Sequence, residues 1–234
     1  MASNILNFLC QILLLIQVTS SFPTEQQVFE GDGSIHADNI LKVRAELQKA
    51  EIIPTVINDF IPSMTLNIAW PWKDSSHYNI TSELGNTIKP SRLQRSPNVL
   101  VDDDPTSTSL TKGLTFVLTL TDPDAPSRDD PKWSEMCHWI VAARGPKDVT
   151  EVVEYKPPGP PPKTGKHRYV FLAWLPANRT TEGLHLVKPK DRQHWGYDPD
   201  VDGFAGRVGV RKWASEMGLM PIAANFIYAQ NKEQ

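Results

Sequence analysis

Hydrophobic side chains recur at roughly helical spacing in one early part of the chain, and this predicts an amphipathic helix. Asp38 and Asn39 are suited to cap the helix, and Pro54 should end it. Residues 55–60, which precede Pro62, predict a second short helix. The apolar positions of the first helix are Ile40, Leu41, Val43, Leu47 and Ile52.

Farther along, alternating or continuous apolar runs predict β-strands. These runs occupy residues 64–70, 114–121, 137–142, 169–175 and 219–229. Residues 206–217 fit another helix, and the polar stretch 71–98 is typical of a long loop with one short strand. Because strands outnumber helices and no regular β–α–β alternation appears, the pattern predicts a mainly β, mainly antiparallel fold with helices at its ends.

The composition bounds the class of protein. The chain has 234 residues, of which 40% are hydrophobic, so it can bury a sizeable core as one domain with extensions. The formal net charge of −3 argues against nucleic-acid binding, which usually requires a strongly basic face. The proline-rich residues 157–162 cannot join a strand ladder, since proline lacks the amide donor, and therefore predict a stiff loop.

The start of the chain has the features of a secretory signal peptide. Residues 1–21 contain no charged side chain and carry a nearly continuous apolar run that is followed by small polar residues. We therefore predict cleavage near Ser20 or Ser21 and entry into the secretory pathway. The alternative is an ordinary hydrophobic helix, in which case the protein is vacuolar or cytoplasmic.

Two further features bear on secretion. Asn79 and Asn178 each begin an Asn-x-Thr sequon and are predicted glycosylation sites. The cysteines are Cys10 and Cys137. If Cys10 leaves with the signal peptide, Cys137 has no partner and the fold cannot depend on a disulfide.

Acids and imidazoles cluster at the ends of predicted strands, where loops often carry binding groups. Asp122 and Asp124 follow one apolar run, and His167 precedes another. His138 lies within a third run, and Arg168 next to His167 can hold an anion. Each residue alone has a structural alternative, since Asp stabilises turns and a single His on a strand is often a core group. Together they predict a pocket of donors and acceptors for a small anion or a zwitterionic headgroup.

Metal and nucleophilic chemistry are less well supported by the residues. No His pair has the close spacing of a zinc site, and Cys137 should face away from its neighbour His138. No Gly-x-Ser-x-Gly sequence occurs, so a serine nucleophile on a sharp turn is not indicated. A weak hydrolase that uses His138 and Asp122 as acid and base remains an alternative.

These same segments resemble the phosphatidylethanolamine-binding protein family. The resemblance lies in Asp-Pro-Asp-Ala-Pro-Ser-Arg at 122–128, in Pro-Lys-Trp at 131–133 with His138, and in Gly-Pro-Pro at 159–161 with Gly-Lys-His-Arg-Tyr at 165–169. Within the family, residues 132–138, 190–197, 212–214 and 224–226 resemble the fungal carboxypeptidase Y inhibitor branch. The resemblance covers about residues 38–230. With the signal peptide, we expect four parts of the chain: the predicted signal peptide (1–21), a flexible segment (22–37), one domain (38–230) and a tail (231–234).

The resemblance implies a fold of two antiparallel sheets with a few peripheral helices, and a small anion-binding cavity. The implied ligand-binding residues are Asp122, Asp124, Trp133, His138, Pro161, His167 and Tyr169. Trp133 stands where many relatives have Tyr, so an indole N–H replaces a hydroxyl donor or the donor is lost. The implied function is non-enzymatic binding of a phospholipid headgroup or another phosphate or carboxylate anion, without a cofactor. The branch implies a serine carboxypeptidase as a second partner.

Overall fold

The computed structural model describes residues 33–71, 78–102, 116–145, 148–177, 184–193, 195 and 209–233. Within them the elements, in chain order, are α1 (Gly33–Lys49), β1 (Thr65–Pro71), β2 (Tyr78–Thr81), β3 (Asn98–Asp102), β4 (Phe116–Asp122), β5 (Met136–Gly145), β6 (Asp148–Val153), β7 (Lys166–Pro176), α2 (Gly209–Glu216) and β8 (Leu219–Gln230). A single 3₁₀ turn, Pro90–Arg92, precedes β3. The signal-peptide region and Asn178 lie outside the described residues, and Asn79 lies in β2.

The strands form two antiparallel sheets, as expected. The smaller sheet has the order β2-β1-β3, and the larger has the order β6-β5-β4-β7-β8. In the larger sheet, β7 pairs with β4 on one side and with β8 on the other. It is buried on both faces from its second residue onward, which explains why its sequence is a continuous rather than an alternating apolar run.

The hydrophobic core has two parts, one on each face of the five-stranded sheet. On one face, α1 and α2 pack through Leu47 and Trp213 among others. On the other face, the two sheets pack together, and Trp70 of β1 meets Phe171 of β7 edge to face with ring centroids 5.8 Å apart. The five-stranded sheet is therefore held rigidly from both sides, and it positions the groups at its edge.

One polar side chain joins the two sheets. Asn225 of β8 is 7% exposed, and its amide nitrogen donates to the carbonyl of Leu66 in β1 over 2.7 Å. Its amide oxygen accepts from the hydroxyl of Ser82 at 2.6 Å and from the backbone N–H of Leu84 at 3.2 Å. A buried amide with this many partners specifies how the sheets are placed relative to each other.

Some elements differ from the prediction. The helix α1 begins at Gly33, inside the segment 22–37 expected to be flexible. The short helix over 55–60 is wrong: residues 53–56 form turns, and Val56 and Ile57 donate to the carbonyl of Ile52 before the chain leaves helical geometry. The apolar spacing there reflects burial of a turn in the core.

The strands β3 and β6 were not predicted. Each is an edge strand with one neighbour, so one side faces solvent and the apolar pattern is weak. Leu100 of β3 and Val149 of β6 are 56% and 50% exposed. None of the described helices is long and apolar enough to cross a membrane.

Candidate functional site

Three strands bring the predicted site residues to one edge of the larger sheet. Asp122 is the last residue of β4 and lies opposite Met136, at the start of β5. The end of β4 also meets the start of β7, because Thr121 pairs with Val170 in antiparallel register. His138, two residues into β5, and His167, one residue into β7, consequently come to the same place as Asp122.

The carboxylate of Asp122 is the centre of this arrangement, and it is 2% exposed. Its Oδ2 lies 2.9 Å from Nδ1 of His167, and its Oδ1 accepts from the backbone N–H of Asp124 at 2.9 Å. A hydrogen bond with this side chain also contributes to the raised pKa of the Tyr169 hydroxyl. With a partner on each of its two oxygens, this buried carboxylate cannot rotate freely.

The partners of His167 show that its ring carries both protons. Nε2 lies 3.0 Å from the hydroxyl oxygen of Thr164, and that hydroxyl donates to the carbonyl of Pro161 at 2.8 Å. Since the hydroxyl proton is used, Nε2 donates to Thr164, while Nδ1 donates to Asp122. Burial opposes the positive charge, but the hydrogen bond and charge of Asp122 outweigh it and raise the pKa of His167.

Tyr169 connects the two imidazoles. Its ring stacks on His167 at a centroid distance of 6.4 Å and meets His138 edge to face at 5.2 Å. Burial, with the charge of Asp122 adding to it, raises the pKa of the Tyr169 hydroxyl, and a backbone hydrogen bond from Gly159 acts in the opposite direction. The hydroxyl therefore stays protonated and acts as a donor.

His138 is the one member of the cluster with an unused ring nitrogen. Its side chain is 3% exposed, and Nδ1 lies 2.7 Å from the backbone carbonyl of Lys156. Among the described residues, nothing forms a hydrogen bond with Nε2, although this atom is buried. Burial lowers the pKa of His138, and the charge of Asp122 only partly offsets this.

Asp124 has a different environment from Asp122. Both of its oxygens accept from the guanidinium of Arg168, at 2.6 to 3.2 Å, and Oδ2 also accepts from the backbone N–H of Arg168. The remaining guanidinium donor reaches the carbonyls of Ala50 and Glu51 at 3.0 and 2.9 Å. Arg168 was expected to donate hydrogen bonds to a bound anion. Its guanidinium instead donates to these internal acceptors.

Trp133 and Pro161 lie on the loops around the cluster. The backbone N–H of Trp133 donates to the carbonyl of Ala125 at 2.9 Å, which ties its loop to the one that follows β4. The Trp133 side chain is half-buried, whereas Pro161 is exposed and receives the Thr164 hydroxyl on its carbonyl. The assignment of all seven residues to ligand binding stays a prediction, and Asp122, His138, His167 and Tyr169 are the four in mutual contact.

Sequence reasoning missed several groups that complete the site. The carbonyl of Lys156 orients His138, and no sequence pattern reports the path of a backbone carbonyl. Arg192 donates to the carbonyls of His138 and Glu154, at 3.1 and 2.7 Å, and so secures the loop that carries Lys156. Thr164 lies directly before the Gly165–Tyr169 motif, a position that could have suggested it.

Glu135 is a second buried acid, close to the site in sequence but on the helical side of the sheet. It is 1% exposed, and its Oε2 accepts from the hydroxyl of Thr121 at 2.7 Å and from the N–H of Val210, in α2, at 3.3 Å. Its Oε1 has no hydrogen-bond partner among the described residues. Burial raises the pKa of Glu135 to about 7, although these donors act against it.

A surface groove of about 600 Å³ lies elsewhere, between residues 57–60, α2 and the adjoining ends of β7 and β8. Phe60 and Trp174 contribute apolar surface to it, and Arg211 contributes charge. None of the seven predicted ligand-binding residues lines this groove. Within the described residues, no group of three His, Cys, Asp or Glu side chains is placed to hold a metal ion.

The fold and the site define a class: a two-sheet antiparallel β protein with a buried aspartate, tyrosine and two histidines at one sheet edge. The family model described as "Phosphatidylethanolamine-binding protein" matches residues 78–227. The chain belongs to the phosphatidylethanolamine-binding protein family.

Individual relatives agree with this assignment. The carboxypeptidase Y inhibitor of Saccharomyces cerevisiae is 37% identical over 138 residues, which cover 50% of this chain and 60% of the inhibitor. CEN-like protein 1 of Nicotiana tabacum is 30% identical over 199 residues, which cover 82% of this chain and 95% of that protein. A crystal structure of carboxypeptidase Y inhibitor complexed with its cognate proteinase has a TM-score of 0.69 and 30% identity, covering 83% of this chain and 98% of that chain. The resemblance to the inhibitor branch is thereby confirmed.

Several of the residues that carry the branch resemblance are interior residues. Trp195 is 2% exposed and meets Trp213 edge to face, with ring centroids 5.4 Å apart. Arg192 binds backbone carbonyls, and Asn225 joins the two sheets. These residues support the fold of the branch.

Proposed function

We propose that this protein is a non-enzymatic binding protein that holds a small anion at the cluster of Asp122, His138, His167 and Tyr169. The anion is a phosphate or carboxylate group, such as the phosphate of a phospholipid headgroup. The observation that carries the proposal is Nε2 of His138, a buried polar atom without a partner among the described residues. Buried polar atoms are nearly always hydrogen bonded, and a ligand atom would supply the missing bond.

The electrostatics of the cluster support an anion as the ligand. The positive charge of His167 neutralises Asp122, which lies 2.9 Å away, so the carboxylate does not repel an incoming anion as an unpaired acid would. In this proposal Asp124 positions Arg168 and does not touch the ligand.

Binding is favoured over hydrolysis by the state of His167. Thr164, His167 and Asp122 form a hydroxyl, imidazole and carboxylate in series, an order also found in hydrolytic triads. Here, however, the hydroxyl donates to Pro161 and the imidazole already holds both protons, so it cannot accept the proton of a nucleophile. His138, the base in the alternative hydrolase, is hydrogen bonded to Lys156 and not to Asp122.

The test is a titration with phosphoethanolamine, followed by NMR of the histidine rings and by calorimetry. Saturable perturbation of His138 and His167 is expected, with little change at His185, which is exposed and distant in the chain. If neither buried imidazole responds at millimolar phosphoethanolamine, the proposal fails.

Inhibition of a serine carboxypeptidase is a second proposed function, compatible with the first. It is supported by the identity with carboxypeptidase Y inhibitor and by the likeness to that inhibitor's structure in its complex. Titration of carboxypeptidase Y with the purified protein should give stoichiometric loss of peptidase activity. Full activity at micromolar excess would overturn this proposal and leave anion binding untouched.

We also propose that the protein enters the secretory pathway through residues 1–21 and is glycosylated at Asn79 and Asn178. The support is the uncharged apolar start and the two sequons. N-terminal sequencing of the protein from its native cells should begin near residue 21 or 22. An intact Met1 would contradict the signal peptide, and an unchanged mass after glycosidase treatment would contradict the glycans.

A further inference from the structure

The hydrogen bond of His138 decides what its free nitrogen offers a ligand. A carbonyl oxygen only accepts, so Nδ1, 2.7 Å from the Lys156 carbonyl, must carry a proton. In the neutral ring, the second nitrogen is then a lone pair, and Nε2 is an acceptor. An anionic oxygen is also an acceptor. The two atoms cannot form a hydrogen bond unless one proton is added between them.

The groups around His138 come from four parts of the chain. They are Asp122 on β4, His167 and Tyr169 on β7, Lys156 after β6, and Arg192 in the segment 184–193. Burial and the positive charges of Lys156 and Arg192 disfavour a second proton on His138, whereas the charge of Asp122 and the backbone carbonyl of Lys156 favour it. The raised pKa of Tyr169 keeps the proton on its own hydroxyl, and Nδ1 and Nε2 of His167 are both committed to hydrogen bonds. Hence the missing proton must arrive with the ligand or from solution.

We propose that the site takes an anion only together with one proton, which lies between a ligand oxygen and Nε2 of His138, and that its preferred ligand is a phosphomonoester monoanion. This rests on the proposed anion-binding function. A phosphomonoester carries its own P–OH, with an ionisation near about pH 6, and can donate it to the neutral imidazole. A phosphodiester has no such proton, so it must wait for His138 to take one from solution.

Burial makes the second route costly at neutral pH. Desolvation lowers the pKa of His138, so a phosphodiester must supply the free energy of protonating a buried ring. Each pH unit above that pKa weakens its binding about tenfold. The site should therefore prefer a phosphomonoester to a phosphodiester because of a single proton. No contact with the rest of the ligand is needed for this preference.

The experiment compares phosphoethanolamine, a monoester, with glycerophosphoethanolamine, a diester, on the full mature protein. Calorimetry in two buffers of different ionisation enthalpy counts the protons taken up on binding. For the diester, uptake of about one proton is expected at about pH 7.5, with affinity falling about tenfold per pH unit. At about pH 6 the monoester should take up fewer protons than the diester and bind more tightly.

Two variants locate the proton. His138→Gln places a non-titrating amide donor near the position of Nε2, so it should bind both ligands with little pH dependence. His185→Gln, the matched control on an exposed histidine, should keep the proton uptake of the parent protein. If His138→Gln unfolds, ¹⁵N NMR of the parent protein decides the matter, because Nε2 should become protonated only when the diester binds.

The outcomes separate this inference from the proposed function. Binding of both ligands without proton uptake, or with equal affinity at every pH, would overturn the proton coupling and leave anion binding intact. Binding of neither ligand would overturn both. A third arm of the experiment uses vesicles of phosphatidylcholine with phosphatidic acid. Tighter binding to these vesicles than to phosphoethanolamine would identify the ligand as a lipid phosphomonoester. Weaker binding to the vesicles would identify it as a soluble phosphomonoester.

Discussion

Arg168 and Asp124 form a buried ion pair in which one guanidinium donates to both carboxylate oxygens, with 2.6 Å between Nη2 and Oδ1. The same guanidinium reaches the carbonyls of Ala50 and Glu51, just after α1. The side chains of Arg168 and Asp124 are only 7% and 1% exposed. This pair therefore fastens the end of α1 to the loop after β4, beside the cluster of Asp122 and His167.

Removing the carboxylate of this pair should destabilise the fold strongly. Asp124→Asn leaves a buried guanidinium without its counterion, which costs about 3–5 kcal/mol in the free energy of unfolding. Denaturant unfolding measures the loss. Asp59→Asn is the matched control, since Asp59 pairs with Arg44 at the surface and should cost far less. Equal losses in the two variants would contradict a structural role for the buried pair.

Glu135 should make stability depend on pH. Its pKa is about 7 in the folded protein against an ordinary value of 4.5, so the folded state binds more protons between these values. The stabilisation from the protonated form is complete below about pH 4.5 and is lost as pH rises through about 7, a change of up to about 3 kcal/mol. Glu135→Gln should remove this slope.

The measurement for Glu135 is the difference in unfolding free energy between the parent protein and the variant across that pH range, because other titrating groups cancel. Glu151→Gln serves as the control. Glu151 is an exposed acid that accepts from the indole of Trp139 at 2.7 Å, and its replacement should leave the slope unchanged. A slope that persists in Glu135→Gln would show that another group causes it.

Gly209, at the start of α2, should tolerate no side chain. A Cβ at this position would lie 1.9 Å from Oε1, 2.0 Å from Cδ and 2.6 Å from Cγ of Glu135, a residue that is 1% exposed. We expect Gly209→Ala to destabilise the protein by at least about 3 kcal/mol in thermal or denaturant unfolding.

Gly165→Ala is the control that distinguishes the clash with Glu135 from the cost of a positive φ angle. Both glycines have positive φ, at 41° and 77°, but a Cβ at Gly165 would meet nothing within 4 Å. Its cost should be the conformational term alone, about 1–2 kcal/mol. Similar losses for the two alanines would contradict the contact between Gly209 and Glu135.

The pKa values of the two buried histidines should be shifted in opposite directions from that of an ordinary imidazole. Burial lowers the pKa of His138, whereas for His167 the hydrogen bond and charge of Asp122 outweigh burial and raise the pKa. NMR titration of the ring protons should therefore resolve two transitions, one on each side of pH 6.5. Asp122→Asn should bring the His167 transition down, and Asp130→Asn, at an exposed site, should not. Coincident transitions would contradict the charge assignment.

The contribution of His167 to the free energy of unfolding should decrease as the pH rises. Because its folded pKa is raised, the ion pair with Asp122 contributes fully below the unfolded value near 6.5 and is lost as pH rises through the folded pKa. The parent protein should therefore lose stability relative to Asp122→Asn, in which this pair is absent, as the pH rises above about 6.5 and through the folded pKa. Unfolding free energies of both proteins across this range measure the effect.

The pattern of apolar and polar residues is enough to predict the fold class, most of the strands and the neighbourhood of the site. The continuous apolar run of β7 and the alternation in β1 follow from how each strand is buried, which is a local property of the pattern. The Asp122 and His167 motifs mark strand ends directly, so both could be placed without coordinates. The sequence does not predict the edge strands β3 and β6 or the turn after Ile52, because partial exposure weakens their apolar patterns.

The role of each polar group, by contrast, depends on contacts that form only when the chain folds. Asp122 and Asp124 look alike in sequence, yet one holds the protonated His167 and the other holds Arg168. The lone pair on Nε2 of His138 is present because Nδ1 donates to a carbonyl 18 residues away. The guanidinium of Arg168 is held by carbonyls more than 100 residues away. Every residue has such a carbonyl, so no side-chain pattern reveals which ones the chain path brings to a site. Protonation and ligand preference here follow from those distant contacts.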